Sequence, residues 1–550
     1  TINLTGAVGS GNPITSTNFV VVHNEKKNNV TPIKKTKKEV FIKINCNTHT
    51  NTTTGPYSLG MPDVVSISNV YVGFHRLAIM DTSSMGEQPF HDDNVSVMCN
   101  GEIFNHEHLE YTYNLKCRSK SDCECIMHLF NKIGFEKMID TLSGDFALMV
   151  HSVSDNKVWF GRDRIGVRPL FYGFTKDGNF AVASYARALQ DFCETRVNQL
   201  GQGWGYYDIS SGEVVLFSYT LPKLRTLKDS VTTEIKLKET LEKAVEERLM
   251  SNRPIGCLLS GGLDSSLITS ILCKLIGPEK VRTYSIGMEG SKDLKCAKET
   301  ADYLKTVHTE VLFTPEEGFK AIPDIIRDLE SYDITTIRAS VGMWLLAKYI
   351  SKNTDDIVLY SGEGADELFC GYLYFHYAPT PTDLANESER LIKELYWYDV
   401  LRADRCISSH GLELRVPFLD RNMVDLSMST SGELLKPRDG LEKALLRNAF
   451  TDNYLPDSIL FRQKDGFSDG VSGNTGKKWY EQIQDFVDEK ISDEDFRMNG
   501  GDFPSKEAYY YKKLFDGFFP NYKPWSKYWL PKWVDHGGDP SGRNLKVFKE

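Results

Sequence analysis

A run of small and polar residues follows a short apolar segment at residues 258–267, which read LLSGGLDSSL. The backbone N–H groups of Ser260, Gly261 and Gly262 would form a cradle for an anion at the start of the next helix. The spacing lacks the lysine of the common nucleoside triphosphate loop, which favours a pyrophosphate group. Asp264 would repel that anion unless a cation such as Mg²⁺ lies between them. The alternative is a glycine turn with Asp264 as the helix cap.

A second polar loop, SGEGADELFCGY at residues 361–372, also follows an apolar segment and carries Glu363, Asp366 and Glu367. Three carboxylates this close together repel one another unless a metal or a catalytic task accounts for them. A capped turn with solvated acids is the alternative. Two acidic, glycine-rich loops at the ends of neighbouring strands predict one magnesium-nucleotide site.

The elements that would position these loops alternate between strands and helices. Predicted strands lie at 255–259, 283–288, 309–313 and 356–360, with helices at 265–277, 295–307 and near 340–352. Such alternation predicts a parallel sheet with helices on both faces, whose ligands bind at the carboxyl ends of the strands. Beyond residue 390 the pattern is mainly helical, and we interpret the aromatic segment YKPWSKYWLPKW (522–533) as packing.

The first part of the chain has a different pattern, with short apolar or alternating segments rich in Val, Ile and Phe. These segments lie at 70–81, 95–104, 144–153 and 157–163. Strand character ends near residue 220, and residues 232–250 have helical periodicity. The predicted fold class is therefore α/β plus α+β, with one domain at 1–220 and a second at 230–550.

Composition sets the broad class of a chain of 550 residues, of which 41% are hydrophobic and 25% charged. The net charge of −10 provides no global attraction to nucleic acid or to an anionic membrane. We interpret the lysine-rich stretch 26–38 as a solvated loop. No apolar run is long enough to span a membrane, and no secretory signal is visible. Eleven scattered cysteines indicate reduced thiols and a cytoplasmic location.

Five segments in order resemble the asparagine synthetase family, especially its eukaryotic-type form. They are SGGLDSS, SGEGADELFCGY, YDITTIRAS (332–340), DVLRADRCISSHGLELRVPFLD (399–420) and RQKDGFSDGV (462–471). The first loop alone is specific only to a superfamily of ATP pyrophosphatases, whereas the five together are highly specific. The resemblance covers most of residues 235–545 and implies a parallel-sheet ATP-pyrophosphatase domain with a helical extension.

The resemblance implies that aspartate is converted to β-aspartyl-AMP with release of pyrophosphate, and that ammonia then displaces AMP to give asparagine. Glu363 would be the general base, and Lys464 would supply a positive charge to the departing pyrophosphate. Asp264 and Asp366 would hold Mg²⁺, and Thr335 and Arg338 would bind aspartate. The implied ATP-binding residues are Leu259, Ser260, Gly261, Gly262, Asp264, Ser265, Ile286, Ser361 and Gly362.

The amino-terminal part resembles the glutamine amidotransferase domain of the same family, which implies an Ntn-hydrolase-like, β-rich layered fold. The matching segments are FHRLAIMD, QPF (88–90), CNGEIFNH (99–106), SDCE (121–124) and GRDRIGVRPLFYG (161–173). By this resemblance Arg76 would hold the glutamine carboxylate, and Asn100 and Gly101 would form an oxyanion hole. Glu102 and Asp122 would bind the glutamine amine.

The family's nucleophile, an N-terminal cysteine followed by Gly-Ile, has no counterpart at the start of this sequence, which opens TINLTGAV. Three interpretations follow. The sequence lacks its true start, Thr1 acts as an N-terminal nucleophile, or the domain is a degenerate scaffold and the enzyme uses free ammonia. The threonine route is disfavoured because Thr1 lacks the Gly-Ile context. A protein that begins at Thr1 is expected to use ammonium and to hydrolyse glutamine poorly.

Other functions of the same architecture remain as alternatives. A β-lactam-forming synthetase would differ around the aspartate pocket, and a non-catalytic binding module would have damaged synthetase loops. A nucleotide-modifying pyrophosphatase that acts on RNA would require a basic surface. The expected partners are ATP with Mg²⁺, aspartate, and glutamine or ammonia, without nucleic acid or membrane, and a homodimer is the expected assembly.

Overall fold

The computed structural model describes twelve segments of the chain. They are residues 19–22, 63–67, 70–190, 193, 196–222, 225–464, 466, 470–473, 476–520, 522, 524 and 527–534. The predictions for Thr1 and for the lysine-rich stretch 26–38 lie outside these residues. The chain divides into one compact unit of residues 1–218 with 521–524 and a second of residues 219–520 with 525–550.

The first unit contains two antiparallel six-stranded sheets, with strand orders β10-β8-β9-β1-β3-β2 and β12-β11-β7-β6-β5-β4. The strands are β1 (Phe19–Val22), β2 (Asp63–Ile67), β3 (Val70–Phe74), β4 (Phe90–His91), β5 (Val95–Ile103), β6 (Gly144–Ser152), β7 (Lys157–Arg162), β8 (Phe171–Phe174), β9 (Phe180–Ala183), β10 (Asn198–Gln199), β11 (Gly203–Asp208) and β12 (Glu213–Ser218). Its helices are α1 (His106–Tyr113), α2 (Cys125–Thr141) and α3 (Arg187–Gln190).

Alternating side chains explain how these sheets pack. On β7, Val158 and Phe160 join a buried cluster that also contains Phe180 from the other sheet. Trp159 lies between them in sequence and stacks on Phe135 of α2, with ring centroids 5.1 Å apart. Successive strand residues point to opposite faces, so one face forms the core between the sheets and the other packs against a helix.

The second unit is built on a parallel five-stranded sheet with strand order β15-β14-β13-β16-β17. Its strands are β13 (Ile255–Leu258), β14 (Arg282–Gly287), β15 (Val307–Leu312), β16 (Val358–Tyr360) and β17 (Glu413–Arg415). The predicted fold class is confirmed in both units. The sequence patterns did not predict β17, which is only three residues long.

Helices surround this sheet and extend beyond it. They are α4 (Ser230–Glu247), α5 (Leu263–Ile276), α6 (Lys292–Leu304), α7 (Pro315–Leu329), α8 (Ile334–Asn353), α9 (Ala365–Leu368), α10 (Pro381–Glu394), α11 (Asp399–Ser408), α12 (Arg421–Ser429), α13 (Gly432–Leu435), α14 (Ala444–Ala449), α15 (Asp457–Leu460), α16 (Trp479–Lys490), α17 (Asp493–Asn499) and α18 (Lys506–Phe518). In the described part of the chain, none of them has the length and apolar character needed to cross a membrane. The ten cysteines described are all free thiols.

Candidate active site

The strand order places the two polar loops side by side. In chain order the sheet runs third, second, first, fourth, fifth, so β13 and β16 are neighbours at the point where the winding reverses. The loops after both strands therefore open at the same edge of the sheet, where ligands of such folds bind. They approach so closely that a Cβ atom on Gly362 would lie 2.6 Å from the backbone nitrogen of Ser265. A cavity of about 260 Å³ opens at this edge.

Most of the residues predicted to bind ATP line this cavity. They are Leu259, Ser260, Gly262, Asp264, Ser265, Ile286, Ser361 and Gly362. The Ser265 hydroxyl accepts a hydrogen bond from the Ser260 amide at 3.2 Å, which fixes the turn before α5. Gly261 faces α6 instead, and its carbonyl accepts a hydrogen bond from Arg462 Nη1 at 2.8 Å. Its contribution is therefore to the shape of the loop.

Two lysines and two aspartates form a charged group beside the loop that follows β13. Lys443 Nζ lies 2.6 Å from Asp264 Oδ2 and 2.6 Å from Asp366 Oδ1, and Lys464 Nζ lies 2.6 Å from Asp366 Oδ2. Burial alone would raise the pKa of Asp366, but the two ammonium groups outweigh burial and hold that pKa well below its usual range. Asp366 thus remains ionised. The structure brings together the predicted Asp264, Asp366 and Lys464.

Asp264 and Asp366 also fit the predicted magnesium ion. Asp264 Oδ1 is buried and has no hydrogen-bond partner in the described structure, so one hard oxygen ligand is available. Mg²⁺ in nucleotide sites is typically held by one or two carboxylates together with phosphate oxygens. Among the described residues, no group of three or more His, Cys, Asp or Glu side chains is arranged to hold a metal ion.

Glu363 also lines the cavity and lies against Arg402. Its carboxylate accepts a hydrogen bond from Arg402 Nη2 at 2.8 Å, and the same nitrogen donates to Asp399 Oδ1 at 2.9 Å. Burial raises the pKa of Glu363, and the Arg402 guanidinium opposes that rise. A buried carboxylate with a raised pKa is a suitable proton acceptor. Glu367 lies four residues after Glu363 in the same loop and is buried. Burial, together with the charges of Asp399 and Asp366, raises its pKa to about 8.

The two residues predicted to bind aspartate are not placed together. Thr335, in the first turn of α8, lines the cavity, and its Oγ1 is buried without a partner in the described structure. Arg338 lies in the interior, where Nε and Nη2 donate to the two carboxylate oxygens of Glu507 on α18 at 2.8 and 2.5 Å. Both side chains are 1% exposed. Arg338 is not among the described residues that line the cavity, because its guanidinium is bonded to Glu507.

Two residues of the aromatic segment 522–533, which we interpreted as packing, lie at the cavity. Trp529 and Pro531 line the cavity, and the Trp529 backbone amide donates to Asp333 Oδ1, the residue that caps α8, at 2.8 Å. The Trp529 ring packs against Tyr372, with centroids 5.3 Å apart. Trp529 and Pro531 therefore form part of a wall of the site, which the composition of the segment alone did not indicate.

Several cavity residues were missed by the sequence reasoning. Arg402 and Asp399 lie within the quoted segment DVLRADRC, but no local pattern distinguishes them from other helical charges. Lys443 precedes α14 and has a left-handed backbone, with φ of 56°. A lysine in this conformation gives no sequence signal, because the conformation is visible only in the structure.

In the first unit, the predicted oxyanion-hole residues lie on β5. Gly101 has φ of +133°, and a Cβ there would lie 2.0 Å from the Asp145 carbonyl on β6, so only glycine fits. Asn100 Nδ2 donates to the Ser184 hydroxyl at 3.4 Å. Asp122 Oδ2 accepts a hydrogen bond from the backbone amide of Ile103 at 2.7 Å, which ties the Asp122 turn to the same strand.

Arg76 lies near this strand and is held mainly by backbone carbonyls. Its guanidinium donates to the carbonyls of Ser83 at 3.0 Å and Met80 at 2.8 Å, and also to that of Asp81. Burial lowers the pKa of Arg76, and the charges of Asp81 and Glu102 oppose that effect. The predicted Arg76, Gly101, Glu102 and Asp122 are thus grouped around one end of β5.

Sequence comparisons agree with both halves of this description. The family profile described as asparagine synthase matches residues 236–387 and 378–534, and that of the glutamine amidotransferase domain matches residues 44–209. A protein of Cricetulus griseus named asparagine synthetase [glutamine-hydrolyzing] is 42% identical over 532 residues, which is 90% of this chain and 94% of that protein. The chain belongs to the asparagine synthase family. Similar proteins of Homo sapiens and Gallus gallus, with the same name, are each 41% identical over the same shares of both chains. Because relatives that are 41–42% identical over most of this chain are asparagine synthetases, the chain is an enzyme of asparagine biosynthesis.

Proposed function

We propose that the cavity of the second unit is where ATP activates aspartate and where the activated aspartate is amidated. The observation that carries this proposal is the convergence of a serine- and glycine-rich loop, two lysines and a buried carboxylate at one edge of a parallel sheet. The chain is thus an ATP-dependent ligase that forms asparagine, with glutamine as the nitrogen source of its family. The alternatives of a β-lactam-forming synthetase and a non-catalytic binding module are not favoured by its relatives.

In the first step a β-carboxylate oxygen of aspartate attacks the α-phosphorus of ATP, and the bond to pyrophosphate breaks. Ser260, Gly262 and Ser265 would bind the phosphates, and Leu259, Ile286, Ser361 and Gly362 would contact the nucleoside. Lys464 and Lys443 would stabilise the negative charge that develops on pyrophosphate. Asp264 and Asp366 would hold Mg²⁺, which when bound neutralises part of the phosphate charge.

In the second step ammonia attacks the β-carbonyl carbon of β-aspartyl-AMP, Glu363 accepts a proton, and AMP leaves. The raised pKa of Glu363 suits this task, because a base must hold a proton transiently near neutral pH. Thr335 would donate its hydroxyl, which has no hydrogen-bond partner among the described residues, to the substrate. We propose that the residues around β5 of the first unit bind glutamine, with Arg76 near its carboxylate, Asn100 and Gly101 near its amide, and Glu102 and Asp122 near its amine.

The test is a product analysis. Protein with a verified N-terminal residue is incubated with aspartate, ATP and Mg²⁺, together with either glutamine or ammonium, and asparagine, AMP and pyrophosphate are quantified. We expect the three products in equal amounts. ADP and phosphate as stoichiometric products would contradict the proposal. Comparing the two nitrogen sources also decides among the interpretations of the first unit.

A cytoplasmic location, inferred from the cysteine pattern, and a homodimer are further proposals. Cell fractionation tests the location, and sedimentation tests the assembly.

A further inference from the structure

The substrate of this site has two carboxylates and one ammonium group, and only one carboxylate reacts. The other, the α-carboxylate, needs a cation within the cavity. Arg338 is unsuited to that role in this structure, because both carboxylate oxygens of Glu507 are bonded to it and the pair is 1% exposed. Lys443 and Lys464 are bonded to the aspartates beside the phosphate loop. The remaining question is which residue meets the α-carboxylate.

Arg402 on α11 has the required geometry. Its side chain lines the cavity and is 5% exposed. Nε and Nη2 donate to Asp399 at 3.2 and 2.9 Å, and Nη2 also donates to Glu363 at 2.8 Å. Among the described residues, Nη1 donates to the Met343 sulfur alone, at 3.7 Å, and sulfur is a weak acceptor. A buried guanidinium in the cavity thus keeps its Nη1 hydrogens for an oxygen ligand.

The charges around Arg402 suit an α-amino acid. Glu363 and Asp399 both contact this single guanidinium, so the group carries an excess of negative charge. A carboxylate that binds Nη1 would increase that excess, whereas a ligand that brings an ammonium group with it would balance it. The α-amino-acid end of aspartate carries both groups.

We propose that Arg402, and not Arg338, binds the α-carboxylate of aspartate, while Asp399 holds the guanidinium in place and faces the α-ammonium group. This inference rests on the proposed function of the cavity. Glu363 contacts Arg402, and the charge of Lys464 also acts on its carboxylate. Glu363 therefore lies between Arg402 and the lysine proposed to bind the phosphates. The reacting β-carboxylate would then be directed toward Glu363 and the lysines. Arg338 is a positioning residue that fastens α18 to α8.

The decisive experiment compares two substrates in pyrophosphate release. Aspartate is compared with 3-aminopropanoate, which keeps the ammonium group and the reacting carboxylate and lacks only the α-carboxylate. Arg402→Gln should lower kcat/KM for aspartate by about thirty-fold or more, the value of a lost charge-assisted contact, and change that for 3-aminopropanoate by less than about three-fold. Equal losses for both substrates would overturn the proposal.

A second arm does not depend on turnover of 3-aminopropanoate. Arg402→Lys, which keeps the charge and loses the fork geometry, should raise KM for aspartate by about ten-fold and leave KM for ATP within about two-fold. An unchanged KM for aspartate would refute the assignment.

The matched control concerns the buried pair of Arg338 and Glu507. The double substitution Arg338→Met with Glu507→Leu replaces both charges by apolar side chains, which buried pairs often tolerate. We expect this variant to be folded and to keep kcat/KM for aspartate within about five-fold of wild type. A folded double variant that loses aspartate selectively would restore Arg338 as the ligand and overturn the proposal. Wild-type protein that releases no pyrophosphate with aspartate would instead refute the proposed function itself.

Discussion

The charged residues of the two proposed sites differ in what holds them. In the cavity of the second unit, two of the cations are paired with carboxylate side chains: Lys443 joins Asp264 to Asp366, and Arg402 joins Glu363 to Asp399. In the glutamine region of the first unit, Arg76 is held by backbone carbonyls, and Asp122 is held by the backbone amide of Ile103.

This difference indicates how each site can respond to a ligand. A side chain that is paired with another side chain can exchange that partner for a substrate group by rotating a few bonds. A side chain that holds the backbone cannot leave without disturbing its loop. We therefore expect substitutions in the second unit to change chemistry and substitutions in the first to change loop stability together with glutamine use.

The largest effect is expected at Glu363. Glu363→Gln keeps the shape but cannot accept a proton, so asparagine formation should fall by about a hundred-fold or more while pyrophosphate release is less affected. Glu367→Gln is the matched control. Because Glu367, with a pKa raised to about 8, is already protonated at neutral pH, this variant should stay close to wild type. Parallel loss of both partial reactions in Glu363→Gln would make Glu363 a binding residue.

Asp264→Asn and Asp122→Asn should affect different activities, by smaller factors than Glu363→Gln. Removing a charge at Asp264 should reduce aspartate-dependent pyrophosphate release by roughly thirty-fold and raise the Mg²⁺ concentration needed for half-maximal rate. Asp122→Asn should weaken glutamine binding, and with it any glutamine-dependent synthesis, while synthesis with ammonium changes much less. If both variants lost ammonium-dependent activity to the same extent, the division of labour between the two regions would be wrong.

A stability difference should accompany Arg76→Lys. The lysine keeps the charge but cannot reach three carbonyls at once, so the free energy of unfolding should fall by about 1–2 kcal/mol. Chemical denaturation followed by circular dichroism measures this change. Loss of glutamine affinity at unchanged stability would show that Arg76 is as exchangeable as Arg402, and would remove the contrast.

The smallest effect concerns His410, which packs edge-on against Trp344 of α8. Burial lowers its pKa from 6.5 to about 4, so the folded protein favours the neutral ring. The resulting stability is present above pH 6.5 and is lost as the pH falls toward 4. Between pH 7 and pH 6 the loss is about 0.7 kcal/mol for this residue. Denaturation at several pH values should show a shallower slope for His410→Gln, and an identical slope would contradict this prediction.

Sequence reasoning predicted the parts of the site that depend on local order. The loop after β13 and the loop after β16 are each continuous in sequence, and the alternation of strands and helices predicted the parallel sheet that carries them. The three-residue β17 was missed because so short a strand has no periodicity of its own.

The parts that were missed depend on contacts between distant residues. Arg338 lies in a motif that was identified, yet its partner Glu507 is 169 residues away and only the fold brings the two together. Lys443 reaches Asp264 across 179 residues, from a backbone conformation that the sequence does not indicate. Patterns in a single sequence do not show which distant residues form pairs. The sequence therefore indicated which residues could take part in the site but not which partners they contact.

The position of Trp529 has a consequence for synthesis of the chain on the ribosome. Its ring and the neighbouring Pro531 complete a wall of a cavity whose first loop lies some 270 residues earlier in the sequence, between Leu259 and Ser265. The nascent chain must therefore carry an open cleft with all its catalytic charges until translation has passed this tryptophan. Premature termination between Lys464 and Trp529 would leave every residue to which we assign a catalytic role present, but the cavity would lack this wall. We expect such truncated products to lack synthetase activity despite an intact parallel sheet.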